Sequence, residues 1–219
     1  MTEAKVDRAF FAANFPSKEL FGKKNSPSRT QGFHAIFDVW DAIPEYDYTS
    51  WLAYALATAW HETGATMLPV REGFKATDAD AFAHVTAYCK AQGIPNYAAR
   101  AANGHSYYGR GYVQLTHGFN YKSMGKRLGV GDRFYDVPDR VMDPTNAGRI
   151  LLTGLIEGAF RPKAGTVMDY FTPGGQQWIS ARDMINGDKH KTPKWAGGAT
   201  IGELVGGYGR AFQKALRLL

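Results

Sequence analysis

The run Ser50-Trp-Leu-Ala-Tyr-Ala-Leu-Ala-Thr-Ala-Trp-His-Glu-Thr-Gly64 carries no charged residue from Ser50 to Trp60 and is rich in good helix formers. It follows two capping candidates, Asp47 and Thr49, so it reads as a buried helix. Gly64 can stop that helix and Pro69 cannot continue it, which leaves Glu62 in the last turn. There the negative end of the helix dipole and apolar neighbours both oppose ionisation, as suits a group that must hold a proton near neutral pH. A second carboxylate, Glu72, follows ten positions later in Arg71-Glu72-Gly73-Phe74. Continuous helix would carry it about 15 Å beyond Glu62. The chain must turn back at Gly64, Pro69 and Gly73, and such a loop can bring the two carboxyls to roughly 6.5–9.5 Å, the separation of inverting glycoside hydrolysis.

Working outward, residues 6–15 read as a short helix with Val6, Phe10 and Ala13 on one face, followed by an irregular stretch over 16–29 rich in Lys, Ser, Gly and Pro. Phe33, Ile36, Phe37 and Trp40 have core spacing for a helix that begins after Thr30 and ends before Pro44. Asp78 is expected to cap a helix with Phe82, Val85 and Cys89 on one face and Gly93 at its end. The glycines of Asn103-Gly-His-Ser-Tyr-Tyr-Gly-Arg-Gly111 predict a loop or tight hairpin pressed close to something. Further helices are expected over 119–128 with Tyr121, Met124 and Leu128 inward, and over 144–159, opened by Asp143-Pro144 with Ile150, Leu151 and Leu155 buried. The last two are expected over 176–185 and 200–218, the final one with Gly202, Gly206, Gly207 and Gly209 permitting close helix packing. The outcome is one mainly α domain over 1–219, with little strand and no separate cell-wall-binding module.

Composition narrows the function. With 44% hydrophobic residues the 219-residue chain can bury a core, and a net charge of +6 predicts an anionic partner. Lysines and arginines are dispersed rather than clustered, which speaks against nucleic acid. Cys89 is the sole cysteine, so no internal disulfide forms. The N-terminus lacks the apolar segment of a signal peptide, and we expect synthesis in the cytoplasm. His61-Glu62 is not a zinc-protease motif, because the second histidine would fall on Ala65. The remaining histidines form no ligand set and no phosphate loop occurs, so neither metal nor cofactor is expected.

Beside the carboxylates stands a second polar cluster, Tyr107 to Tyr121, in which aromatic rings alternate with amides and hydroxyls. Such a mixture suits a sugar, whose ring faces stack on aromatics while its hydroxyl and acetamido groups take hydrogen bonds. Taken in order, His61-Glu62-Thr63, Gly109-Arg110-Gly111, Gln114-Leu115-Thr116-His117, Asn120-Tyr121, Asp143-Pro144, Ile185-Asn186-Gly187 and Arg210 resemble glycoside hydrolase family 19, the chitinase-like fold of plant chitinases and many phage lysins. The resemblance implies a lysozyme-like helical domain with a cleft. It makes Glu62 the general acid, Glu72 the base that activates water, and Thr116 the hydroxyl that helps hold that water. His61, Tyr108, Gln114, Asn120 and Asn186 become substrate-binding or cleft-shaping residues, Arg210 an arginine near the carboxylates, and Arg149 a basic residue of the cleft. Asp78 and Asp80 stand as alternative bases.

The short carboxylate loop and lone cysteine are more like the phage-lysin branch than the disulfide-bearing plant enzymes. We therefore expect a monomeric endolysin that hydrolyses peptidoglycan glycan strands between N-acetylmuramic acid and N-acetylglucosamine and so lyses the host. The alternatives are a chitinase and a silent glycan-binding protein. The cationic and apolar C-terminal stretch is also a candidate for transient contact with an anionic outer membrane.

Overall fold

The computed structural model describes residues 5–43 and 48–219, so the capping candidate Asp47 lies outside the described residues. Helix α1 (Arg8–Ala13) is shorter than the apolar pattern suggested, because Asp7 caps it through Phe10 N. Helix α2 (Pro27–Asp41) starts earlier than expected: Ser26 caps it and Pro27 occupies the first position, where its missing N–H costs nothing. Helix α3 (Thr49–Glu62) is buried at every position from Ser50 to Trp60, which is why a charge-free run was needed there. Gly64, at φ +58°, turns the chain out of it.

Strand β1 (Val70–Arg71) leads into a 3-10 turn over Glu72–Phe74. Helix α4 (Asp78–Gln92) follows, but Thr77 rather than Asp78 is its cap, accepting from Asp80 N at 3.1 Å, and Gly93 ends it in the left-handed conformation. Strand β2 (Arg110–Gly111) pairs antiparallel with β1, Val70 opposite Gly111 and Arg71 opposite Arg110. The expected close approach is real. A Cβ on Gly109 would sit 2.8 Å from the Gln114 amide oxygen, and one on Gly111 3.1 Å from the Val141 carbonyl.

Helix α5 (Gly118–Arg127) buries Tyr121 and Met124, and the short α6 (Arg133–Asp136) seats Phe134 beside them. Helix α7 (Pro144–Ile156) begins at the Asp143-Pro144 signal, with Asp143 accepting from Asn146 N at 2.9 Å. Helix α8 (Val167–Tyr170) opens with a capping box and runs into a hairpin of β3 (Phe171–Thr172) and β4 (Gly175–Gln176).

The helix expected over 176–185 is replaced by β4 and a 3-10 turn over Ser180–Met184. Pro173-Gly174-Gly175 closes a tight hairpin there, and the tighter turn carries Ala181, Arg182 and Met184 inward. Helix α9 (Ile201–Ala215) starts at a Thr200/Glu203 capping box and ends before the expected 218. Beyond it the chain is drawn into extended pairing with the N-terminal segment, Val6 opposite Leu218 and Asp7 N donating to Arg217 O at 2.9 Å.

The main core forms where α3 packs along α9 and α2 along α7, with Phe33 in ring contact with Phe11, Phe37, Trp60 and Phe212. Burying each such side chain contributes about 1.5–3 kcal/mol. The apolar side of the C-terminal stretch is part of this core: Phe212, Ala215 and Leu216 are buried, and Arg217 pairs with Asp7. Cys89 packs as a buried free thiol beneath Val85 and Tyr108.

Candidate active site

Glu62 closes α3, and what meets it is a guanidinium. Arg182, on the 3-10 turn over Ser180–Met184, approaches Glu62 Oε1 to 2.6 Å and is 1% exposed, against 15% for Glu62. The same guanidinium donates two further bonds to Asp188, at 2.7 and 2.9 Å. Burial would push the Asp188 carboxyl up, but the hydrogen bonds and charge of Arg182 outweigh it and hold the group below the usual carboxylate range. The set is thus two carboxylates around one buried cation. Burial pushes the neighbouring His61 imidazole below its ordinary value, and the Arg182 charge adds to that against Glu62 and Asp188, so His61 is held toward its neutral form.

Glu72 is placed by the β1–β2 pairing and clamped by donors. Its backbone N–H donates to Gly109 O at 2.8 Å, and Oε2 accepts from Gly109 N at 2.8 Å. Oε1 accepts from the Tyr97 hydroxyl. Burial and then the adjacent Glu72 both raise the Tyr97 phenol above its ordinary value, so it stays a donor. Gly73, at φ +70°, has no room for a side chain, because a Cβ there would meet the His84 ring at 2.3 Å. Of the alternative bases, Asp78 accepts from Tyr108 and Arg110, and Asp80 is taken up in the Thr77 cap.

The segment after β2 holds the third group. Gln114 and His117 adopt left-handed backbone at φ +53° and +70°, strain of the kind that persists at sites where the surroundings fix it. The Gln114 amide donates to Val70 O at 3.1 Å, the Thr116 hydroxyl to Gln114 O at 2.7 Å and the Asn120 amide to Thr116 O at 2.8 Å. Gln114, Thr116 and Asn120, with Phe160 and Ile185, line a cavity of about 120 Å³. Asn186 follows Ile185 and is exposed, its side-chain oxygen accepting from Gly187 N.

Three expected site residues fall elsewhere. Tyr108 is fully buried, its hydroxyl on Asp78 and the Arg110 guanidinium 3.8 Å over its ring, so it is part of the support beneath the hairpin. Arg149 bonds Leu128 O at 3.0 Å and lines a cavity between α2 and α7 with Val39 and Leu152. Arg210 is exposed on α9, and the arginine on Glu62 is Arg182. Arg182, Asp188 and Tyr97 were missed from sequence. The available signal was a charged pair, Arg182-Asp183, flanked by Ile179, Ala181, Met184 and Ile185.

Residues 49–150 match the family model for class I chitinases of glycoside hydrolase family 19. Over that stretch the chain is similar to family 19 glycoside hydrolases. The match includes Glu62, Glu72, Gln114, Thr116 and Asn120 and stops short of Arg182 and Asp188. A solved bacterial family 19 chitinase shares the fold, at a TM-score of 0.51 over 96% of this chain and 94% of that one, with 22% identity. Chitinase C from Streptomyces griseus HUT6037 is similar at a TM-score of 0.43 and 20% identity, over 82% of this chain and 73% of its own. No curated protein sequence matches the chain.

Proposed function

We propose that this chain is a family 19 hydrolase that cuts the glycan strand of peptidoglycan by inverting acid/base catalysis, with Glu62 as the acid and Glu72 as the base. The observation that carries the acid assignment is the charge balance at the end of α3. Asp188 already neutralises Arg182 through two bonds, so Glu62 is the carboxylate in excess and can take a proton without leaving the buried guanidinium unpaired. Its Oε1 is buried against Arg182, which leaves Oε2 to deliver a proton to the glycosidic oxygen. Glu72, gripped at both oxygens by Tyr97 and Gly109, has a fixed orientation for accepting a proton from water. Thr116 and Gln114 supply polar groups beside the neighbouring cavity, whose amides suit an acetamido substituent.

The net charge of +6 favours an anionic wall polymer over an uncharged one. Chitin is the second reading, favoured by the class I chitinase family match. Digesting purified sacculi and chitin in parallel, reducing the products with borohydride and weighing them by mass spectrometry separates the two. Reduced muramic acid ends from sacculi, absent with Glu62→Gln, are the expected result. Products from chitin alone would replace the first reading with the second.

A further inference from the structure

Phe21, Phe74 and Trp195 hold large apolar rings in solvent, 63%, 61% and 64% exposed, around one groove of about 520 Å³ that Tyr208, His61 and Lys23 also line. Two of these rings are there at a backbone cost: Phe21 and Phe74 stand at φ +55° and +56°, a region that aromatic residues seldom occupy. Strain and exposed apolar area at the same residues are unfavourable twice over for the free protein, and a ligand that covers the rings offsets both.

The groove adjoins the carboxylates. His61 precedes Glu62, Phe74 follows Glu72 by two residues, and the groove's lining shares no residue with the Gln114–Asn120 cavity. Trp195 reaches it from the 3-10 turn over Lys194–Ala196, seven residues past Asp188. The Phe21 ring meets Tyr208 edge-on at 6.1 Å, and the exposed Lys23 ammonium lies 3.5 Å from Gly64 O in the groove wall.

We propose that this groove is a second glycan-binding segment, in which Phe21 and Trp195 stack on pyranose faces of the strand beyond the units at Glu62 and Glu72, and Lys23 meets an acidic substituent such as the lactyl carboxylate of muramic acid. The proposal rests on the glycan-hydrolase reading above for its polymer, and on the groove alone for its stacking. Flat rings flanking a polar rim fit sugars, which offer C–H faces and hydroxyl edges together.

The test uses the full chain and a Phe21→Ala/Trp195→Ala double variant, with calorimetric titration of N-acetylglucosamine hexamer and trimer. The double variant should bind the hexamer about tenfold more weakly, with trimer affinity and thermal midpoint unchanged. On the polymer it should raise KM and leave kcat in place. Lys23→Ala should weaken binding of a muramic-acid-containing oligomer and leave the N-acetylglucosamine hexamer alone. Hexamer affinity equal to wild type overturns the groove, even where the enzyme still cuts glycan. Loss of hexamer affinity in the double variant of a chain that cuts no glycan sustains the groove and sinks the hydrolytic reading. A dimer in sedimentation velocity that Trp195→Ala dissociates would assign the rings to a second copy and also overturn the proposal.

Discussion

At the scale of residues, the proposed mechanism divides the chemistry between Glu62, a second carboxylate on the buried Arg182, and Glu72, clamped by hydrogen-bond donors. Glu62→Gln keeps the side-chain size and removes the transferable proton, and turnover should fall by roughly 10²–10⁴ while the far-ultraviolet circular dichroism spectrum stays the same. Asp78→Asn should leave kcat near wild type, since that carboxylate is spent on Arg110 and Tyr108, and equal losses in both variants would refute the assignment. Tyr97→Phe deletes the hydroxyl on Glu72 Oε1 and so should lower kcat by about tenfold with KM unchanged, as expected for a group that orients the base. Glu62, Glu72, Gln114, Thr116 and Asn120 could be named as candidates from the sequence, because they lie within the motif-bearing stretch 61–121. Arg182 and Asp188 could not, because Arg182 meets Glu62 across 120 positions of chain that only the fold brings together. Arg210 had been given that role by order along the chain, and order does not report which face of α9 a side chain takes.

At the scale of elements, α9 shows what its glycines are for. A Cβ on Gly209 would lie 2.5 Å from the Trp178 ring and one on Gly206 3.2 Å from Trp178, whereas Gly207 has nothing within 4 Å. The close packing expected of these residues is therefore against the strand-and-turn segment that carries Arg182, not against another helix. Gly209→Ala should cost about 1–3 kcal/mol through overpacking, seen as a lower urea midpoint. Gly207→Ala, in the helix interior with open space, should stabilise by roughly 0.5–1 kcal/mol. Equal shifts of the same sign would contradict this picture of the packing. Helix starts were readable wherever a cap and proline coincide, as at Asp143-Pro144. The 176–185 segment was misread because its apolar residues pattern like a helix, while Pro173 and the two glycines that follow commit the backbone to a hairpin first.

At the scale of the molecule, pH and salt act on opposite properties. The His61 imidazole is depressed below its ordinary value of 6.5, so the unfolded chain takes up that proton first as pH falls. Stability should therefore decline from about pH 6.5 downward until the folded form protonates, and His61→Gln should flatten that limb of a urea-midpoint profile. Asp188, also depressed, contributes above its ordinary value of 3.8 and loses that contribution as pH falls below it, so its effect belongs to a more acidic window. Salt should act on the substrate encounter: with a net charge of +6, hydrolysis of anionic sacculi should slow as ionic strength rises while hydrolysis of uncharged chitin oligomers does not.

The mainly helical class was legible in the sequence, since it follows from local patterning. The groove of Phe21, Phe74 and Trp195 was invisible there, because its rings come from three distant loops. The division of labour proposed for Glu62 and Glu72 has a stereochemical signature, read by proton NMR of the anomeric signals in the first minutes of cleavage of a soluble oligomer of the polymer the enzyme cuts. Water activated by Glu72 on the face opposite Glu62 predicts that the α-anomer appears first from the β-linked chain. First appearance of the β-anomer would mean a covalent intermediate or substrate assistance, and would contradict the roles given to both carboxylates.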